Sequence, residues 1–355
     1  MKQKQKELFE KIDSEIVFLR NFSYPDYFFH YFSQLPLNHF ENSFLLLKKK
    51  SKPILIVSPL DYGNVKKLKD FSIKSFSTQK DFLNFLKKEF NSKKVGFNAE
   101  IYPQKNLSML KKKTKPKKFE DVSSQLKELR WTKTKKEIKL ISKSAKIADK
   151  TLLNVKQVFS KNMTEKELAV EIEFMARGFG ADSLSFASIV AFGKNSSTPH
   201  HVSGNTKISK GILLFDFGVR YKNYCSDLTR MYSVGTPSKK ESLLYDWLYS
   251  IQRKTISLLK PGVKSEAVHL FVEKKLKEKK FSLNHSIGHG LGLEVHDFPN
   301  GFSRKTNWLV EEKNVFAIEP AFYSKQFGMR IEDNVLVTKR KPKLLSSAPE
   351  HLLKL

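Results

Sequence analysis

The segment Gly211-Ile-Leu-Leu-Phe-Asp-Phe-Gly218, followed by Tyr224-Cys-Ser-Asp-Leu-Thr-Arg-Met-Tyr232, decides the fold prediction. Two largely apolar runs flank a short loop, which predicts a β-hairpin. With a turn at Tyr221-Lys222, Asp216 and Asp227 would face each other directly across the two strands. Like charges in opposite positions destabilise a sheet, and burying them without a partner costs more. A bound divalent cation would remove this cost, because carboxylate oxygens are hard ligands.

A second pair of acidic residues has the same arrangement further along the chain. Glu319 follows the apolar run that begins at Val315, and Glu332 lies in the run that ends at Val337. An odd number of positions separates the two glutamates across a predicted turn. Between the hairpins lies the segment His285-Ser-Ile-Gly-His-Gly-Leu-Gly-Leu-Glu-Val-His296, whose glycines allow the backbone to approach a site closely.

Five residues in these motifs resemble, in order and in context, the metal ligands of the pita-bread metallopeptidases. That family includes methionine aminopeptidase, aminopeptidase P and prolidase, and this chain is most similar to the aminopeptidase P and prolidase branch. The resemblance is dense from about Leu129 to Thr338. It implies an α+β fold, with a small α/β domain over residues 1–122 and a pita-bread catalytic domain over residues 123–355. It also implies a homodimer.

The resemblance implies two divalent metal ions, Mn²⁺ or Co²⁺, held by Asp216, Asp227, His289, Glu319 and Glu332. Asp216 would bind one ion, Asp227 and Glu332 would bridge the pair, and His289 and Glu319 would complete the other shell. Two divalent ions would balance the charge of four carboxylates. Such ions activate water and polarise a scissile carbonyl, so a serine or cysteine nucleophile is not required.

Three further histidines are predicted to belong to the site. His200 and His296 match family histidines that contact the substrate or the tetrahedral intermediate, and His201 is the alternative to His200. We expect His285, shortly before His289, to line the substrate pocket.

Arg330 lies two residues before Glu332, which places both side chains on one face of a strand. An arginine there can hold the metal-bridging acids or a carboxyl group of the substrate. The sequence Arg330-Ile-Glu-Asp333 resembles proline-specific members of the family. It therefore favours a peptide substrate with proline at the second position, and the predicted catalytic residues are His200, His296 and Arg330.

The predicted function is metal-dependent hydrolysis of the bond between an N-terminal residue and proline, of the aminopeptidase P or prolidase type. One alternative is an enzyme that resembles methionine aminopeptidase. A creatinase-like amidinohydrolase does not use this metal set. A further alternative is a non-catalytic pita-bread scaffold that binds nucleic acid or protein. Such scaffolds typically lose metal ligands, whereas this chain retains all five.

The composition indicates a basic, globular protein. The chain has 355 residues and a formal net charge of +29, and lysine supplies most of the cations. That length is typical of two domains. A basic surface can bind nucleic acid, an acidic membrane or an acidic partner. We interpret the charge as a solvated surface, because no nucleic-acid motif is present.

Cysteine content and hydropathy favour a cytoplasmic enzyme. Cys225 is the single cysteine, which excludes an internal disulfide and suits a reducing compartment. We expect it to be a small core residue. The segment Met1-Lys-Gln-Lys-Gln-Lys-Glu7 lacks the apolar core of a signal peptide. No run approaches the roughly 20 apolar residues that span a membrane.

Local patterns predict the remaining organisation. Residues 1 to about 20 have helical spacing, and the lysine-rich stretch 111–118 has the composition of a linker or an exposed loop. Thr164-Glu-Lys-Glu167 has the pattern of a helix capping box, which we interpret as structural. Each half of the catalytic region places helices before an acid-bearing hairpin, which indicates an internal pseudo-twofold.

Overall fold

The computed structural model describes residues 2–355, and the contacts within it divide the chain into two compact units. The first unit ends at Arg130, and the second comprises Trp131–Leu355. The predicted domain boundary after residue 122 lies before the helix Ser123–Trp131, whereas the contact boundary lies at the end of that helix. Within residues 2–355, no helix is both long and apolar enough to cross a membrane.

The first unit is a mixed six-stranded sheet with helices, as predicted for a small α/β domain. Its strands are β1 Ile16–Asn21, β2 Ser43–Lys48, β3 Ile54–Val57, β4 Ser72–Ser75, β5 Lys94–Phe97 and β6 Lys118–Asp121. Its helices are α1 Lys2–Lys11, α2 Tyr27–Ser33, α3 Tyr62–Val65, α4 Gln79–Phe90, α5 Gln104–Thr114 and α6 Ser123–Trp131. The strand order is β4-β3-β2-β1-β5-β6.

Two predictions for this unit were wrong. The first helix ends at Lys11, and the apolar residues from Ile16 onward form β1, which is buried between β2 and β5. A strand buried on both faces has a continuous apolar run that periodicity alone cannot distinguish from a helix. The lysine-rich stretch is not a linker. Lys111–Lys113 form the last turn of α5, where cations interact favourably with the helix dipole, and Lys118 begins β6.

The second unit contains two four-stranded sheets of matching design. Its strands are β7 Ser183–Leu184, β8 Ile189–Phe192, β9 Gly211–Phe217, β10 Val219–Tyr221, β11 Tyr224–Cys225, β12 Leu228–Val234, β13 Gly288–Gly290, β14 Val315–Ile318, β15 Ala321–Tyr323, β16 Gly328–Arg330, β17 Asp333–Leu336, β18 Lys343–Leu344 and β19 Leu353–Lys354. The sheet orders are β8-β9-β12-β19 and β13-β14-β17-β18. In each sheet the two central strands are antiparallel and belong to one hairpin.

Two long helices precede each of these hairpins, in the order predicted from the sequence. They are α7 Lys135–Leu153 and α8 Glu165–Gly178 in the first half, and α9 Lys239–Ser257 and α10 Ser265–Lys277 in the second. Capping boxes begin α7, α8 and α9, including the predicted Thr164–Glu167 box. Buried apolar side chains join each helix pair to its sheet, so the hairpins rest on packed cores.

Candidate metal centre

The first hairpin presents Asp216 and Asp227 on one face, although not directly opposite each other. Strand β9 pairs with β12 so that Asp216 lies opposite Thr229. The turn residues are Lys222 and Asn223, with φ of 48° and 74°. Two consecutive positive φ angles are typical of a type I′ turn, which suits the twist of a hairpin. The predicted turn at 221–222 was therefore one residue early, and Asp227 lies diagonally from Asp216.

The second hairpin places Glu319 and Glu332 directly opposite each other. Ile318 pairs with Asp333, and Ala321 pairs with Arg330 in the same register, so the two glutamates between these pairs lie opposite each other. The neighbouring strand β13 carries His289 next to this hairpin, opposite Ala317.

Ligand atoms of Asp227, His289 and Glu332 lie within 4.8 Å of one another. His289 Nε2 is 3.3 Å from Asp227 Oδ2 and 3.9 Å from both Glu332 Oε1 and Glu319 Oε1. All three residues of this group are buried, and Glu332 is 2% exposed. The structure therefore brings three predicted carboxylate ligands around Nε2 of His289, so that four of the five predicted ligands lie together.

Asp216 joins this group through Arg330 and through its charge. The Arg330 Nη2 donates to Asp216 Oδ2 at 2.6 Å, and Arg330 Nε lies 3.9 Å from Glu319 Oε2. The charge of Asp216 also contributes to the raised pKa values of Asp227 and Glu332.

The carboxylates repel one another when no cation is bound. Burial, followed by the charge of Glu332, raises the pKa of Asp227 well above its usual range, and the same two causes raise the pKa of Glu319. Burial, followed by the charge of Asp216, raises the pKa of Glu332 to about 7. A buried anion without a compensating partner is costly, so this group is suited to an external cation.

Two carboxylate oxygens are buried without a hydrogen-bond partner, namely Asp216 Oδ1 and Glu332 Oε1. His289 Nδ1 lies 3.1 Å from the carbonyl oxygen of Gly290, which can only accept, so Nδ1 carries the proton. Nε2 faces the carboxylates and is the ring nitrogen placed to bind a metal ion. Oxygen donors with one imidazole suit Mn²⁺ and similar divalent ions, so the residues present fit a metal centre.

Arg330 connects the acids to the surrounding residues. It is buried, its Nε donates to Thr229 Oγ1 at 2.9 Å, and its Nη1 donates to Tyr323 Oη at 2.9 Å. Thr229 Oγ1 in turn donates to Glu332 Oε2 at 2.8 Å. Burial of the guanidinium is compensated first by Asp216, and its pKa stays above the usual value. Two roles were predicted for Arg330, and these contacts agree with the first, in which it holds the acidic residues in place.

His285 lies beside the site and is linked to Arg330 through the hydroxyl group of Tyr323. Its Nδ1 is 2.6 Å from the carbonyl oxygen of Ser286 and its Nε2 is 2.9 Å from Tyr323 Oη. Burial, followed by the charge of Arg330, lowers the pKa of His285 to about 4. The neutral ring therefore donates a hydrogen bond from Nδ1 and accepts one from the Tyr323 hydroxyl group at Nε2. These bonds continue the series of hydrogen bonds that begins at Arg330.

The other predicted histidines lie at the edge of the centre. His296 is exposed, but its ring packs edge-on against His289 with 4.3 Å between centroids. His200 is exposed, and the carbonyl oxygen of the preceding Pro199 accepts from Arg330 Nη1 at 3.4 Å. His201 instead pairs with Glu165, with 2.8 Å between Nε2 and Oε2. His200, and not His201, is thus the free histidine of this segment.

Sequence reasoning missed three polar residues around the centre: Thr229, Tyr323 and Asn334. Asn334 Nδ2 donates to the carbonyl oxygen of Asp227 at 2.5 Å and fixes its backbone. Strand alternation could have identified two of them, because Thr229 follows Asp227 by two positions and Tyr323 follows Glu319 by four. Asn334 required knowledge of the pairing between distant segments.

Cys225 is fully buried in the first hairpin, as predicted for a core residue. Its thiol lies 3.4 Å from the carbonyl oxygen of Leu293, and burial raises its pKa to about 11. A thiol with a raised pKa stays protonated at neutral pH and is neither a nucleophile nor a soft ligand.

Comparison with protein families gives two matches that together extend over most of the chain. Residues 139–339 match the model of metallopeptidase family M24, and residues 12–132 match the creatinase/prolidase N-terminal domain. The Xaa-Pro dipeptidase of Pyrococcus horikoshii is 31% identical over 303 residues, which cover 84% of this chain and 85% of that protein.

Two solved structures are similar to this chain over nearly its full length. The Xaa-Pro dipeptidase from Bacillus anthracis is 27% identical with a TM-score of 0.90, covering 100% of this chain and 99% of that one. The X-Pro aminopeptidase from Thermotoga maritima is 26% identical with a TM-score of 0.89, covering 98% and 99% respectively. These matches confirm the predicted α+β pita-bread fold with its additional N-terminal domain.

Proposed function

Because the chain belongs to metallopeptidase family M24 and is therefore a metal-dependent exopeptidase, we propose that it hydrolyses the bond between an N-terminal residue and a following proline. The observation that carries the proposal is the buried group of Asp227, His289 and Glu332, which has the chemistry of a divalent-metal site. The relatives named Xaa-Pro dipeptidase and X-Pro aminopeptidase support the proline substrate.

We assign Asp216, Asp227, His289, Glu319 and Glu332 as the residues that hold two divalent ions, with Mn²⁺ as the first choice and Co²⁺ as the second. The unpartnered Asp216 Oδ1 and Glu332 Oε1 support this assignment, as does the excess of four carboxylates over the single guanidinium of Arg330. When bound, such ions activate water and stabilise negative charge on the carbonyl oxygen of the substrate.

The remaining residues orient these ligands and the peptide. Arg330 and Thr229 hold Asp216 and Glu332 through the contacts described above, which keeps the carboxylates in place before the substrate arrives. Fixed polar groups reduce the reorganisation that a reaction requires.

His200 and His296 are proposed to contact the peptide around the scissile bond. The side chain of His296 keeps an exposed part, but partial burial of its ring, followed by the charges of His289 and His200, lowers the pKa of His296 to about 4. A neutral imidazole can donate one N–H to a developing negative charge on the substrate without carrying a charge of its own. His285 and Tyr323 are proposed to line an adjacent part of the pocket.

The test is hydrolysis of Ala-Pro and Ala-Pro-Ala by purified protein with Mn²⁺ and with chelator, with Asp216→Asn as the inactive control. Chelator-sensitive cleavage of the tripeptide would establish an aminopeptidase P activity, and cleavage of the dipeptide alone would establish a prolidase. If wild-type protein with bound metal cleaves neither peptide, the Xaa-Pro proposal fails. Peptides with N-terminal methionine would then test the activity type of methionine aminopeptidase.

We further propose a homodimer, as the family resemblance implies, and no affinity for nucleic acid, because no nucleic-acid motif accompanies the basic charge. Sedimentation of the purified protein at physiological salt tests the first part. The second part fails if DNA binds with an affinity that falls steeply as salt increases.

A further inference from the structure

Glu165, the first residue of helix α8, has a fully buried carboxylate that gathers four hydrogen bonds from one loop. Its two oxygens accept from the residues at both ends of the segment 192–204 and from two side chains. The donors and distances are Phe192 N at 2.7 Å, Asn195 Nδ2 at 2.8 Å, His201 Nε2 at 2.8 Å and Gly204 N at 3.2 Å. This segment carries His200.

Apart from Glu165, this segment is ordered mainly by individual polar contacts. Between residues 193 and 204 only Ser196 is buried, and Val202 is 84% exposed. Apolar packing therefore contributes little here. Two other contacts fix the middle of the segment, namely Gly328 N to Ser196 Oγ at 2.9 Å and Arg330 Nη1 to the carbonyl oxygen of Pro199 at 3.4 Å. At the ends, Phe192 pairs with Leu213 in the sheet, Ser203 Oγ accepts from Val190 N at 2.8 Å, and Lys166 N donates to the carbonyl oxygen of Gly204. Glu165 joins both ends through a single side chain.

The second half of the unit provides an internal comparison, because it repeats the backbone frame around Glu165 with a different residue. Glu165 N donates to the carbonyl oxygen of Thr206 at 3.1 Å, and Ser265 N donates to that of Trp308 at 2.9 Å. Both residues begin a helix and lie beside an isolated bridge. Ser265 is also fully buried, but its hydroxyl has no partner. The frame itself therefore does not require a carboxylate.

We propose that Glu165 is a positioning residue that holds the segment 192–204 and thereby sets the position of His200 at the metal centre. This inference rests on the proposed function for its catalytic consequence. A buried carboxylate is tolerated only when its hydrogen bonds are satisfied, and here all four donors come from the histidine-bearing segment. One buried carboxylate thus connects both ends of a loop in which only Ser196 is buried between residues 193 and 204.

The kinetic test is a double-mutant cycle between Glu165→Gln and His200→Ala, with Ser265→Ala as the matched control at the equivalent position. We expect Glu165→Gln to lower kcat about 10- to 100-fold, because a misplacement of about 1 Å can cost that much. In the His200→Ala background the same change should lower kcat less than about twofold, because residues that act through one another are not additive. Multiplicative effects would overturn the proposal.

Hydrogen–deuterium exchange provides a measurement that does not depend on activity. Glu165→Gln should increase exchange in residues 192–204 and leave the metal content unchanged, whereas Ser265→Ala should change neither. Glu165→Asp, which keeps the carboxylate on a shorter side chain, should show exchange in residues 192–204 between that of wild type and that of Glu165→Gln. Unchanged exchange in Glu165→Gln would overturn the anchoring role. If the wild-type enzyme cleaves no Xaa-Pro peptide, the proposed function fails, but exchange still decides whether Glu165 holds the loop.

Discussion

Glu332 and Asp333 are neighbours in the sequence, yet their carboxylates enter two buried clusters of different character. Asp333 faces a cluster that the protein neutralises by itself. Two guanidinium groups, Arg230 and Arg253, are matched there by two carboxylates, Asp149 and Asp333. Asp333 also accepts hydrogen bonds from Gln252 Nε2 at 2.9 Å, Ser346 Oγ at 2.9 Å and Ala348 N at 3.0 Å.

Glu332 faces the candidate metal centre, where four carboxylates have one guanidinium between them. Thr229 donates to its Oε2, and its Oε1 has no partner. Both carboxylates are almost completely buried, so exposure does not distinguish them. The difference lies in the balance of charge: a matched cluster stabilises the fold, whereas an excess of anions indicates a site for an external cation.

The largest expected effect is the loss of activity when the excess cluster loses one ligand. Loss of a residue that supports a metal ligand typically lowers activity by up to about 100-fold. Glu332 is itself a proposed ligand, so Glu332→Gln should lower kcat by more than about 100-fold. The metal-free variant should nevertheless be at least as stable to urea as metal-free wild type, because one repelling charge has been removed. Peptide hydrolysis and urea unfolding in chelator measure the two effects. A clear loss of stability in the metal-free variant would contradict the view that this cluster is unbalanced.

The matched cluster should show the opposite pattern. Asp333→Asn should lower the free energy of unfolding by about 3 kcal/mol, the lower end of the range for breaking a buried ion pair, because Asp149 still pairs with Arg230. The variant should still be stabilised by added Mn²⁺. Urea unfolding with and without metal measures both properties. Asp246→Asn, which removes an exposed partner of His351, is the control and should change stability by less than about 0.5 kcal/mol.

Two hydroxyl groups that each bind a carboxylate allow the finest comparison. Ser346→Ala removes a donor to Asp333 and should cost about 1–2 kcal/mol of stability while kcat changes less than about twofold. Thr229→Val removes a donor to Glu332 and should cost similar stability but also lower kcat about tenfold, since it loosens a proposed ligand. Equal effects of both changes on kcat would remove the functional distinction between the clusters.

Local sequence predicted much of the fold because its signals are local. The apolar run into Asp216 predicted a strand, and the capping box at Thr164 predicted the start of a helix. The same local signals failed where pairing decided the outcome. The run from Ile16 became a central strand, and the hairpin turned at Lys222-Asn223, one residue later than predicted.

The acids, the histidines and the order of the hairpins could be predicted from the sequence, because each lies in a motif that spans only a few residues. The packing of distant segments places Glu332 and Asp333 in different clusters and brings Glu165 to the loop of His200. These relations join residues that are distant in the chain. Their physical basis is the balance of buried charge and hydrogen bonds, which exists only after the segments have packed together.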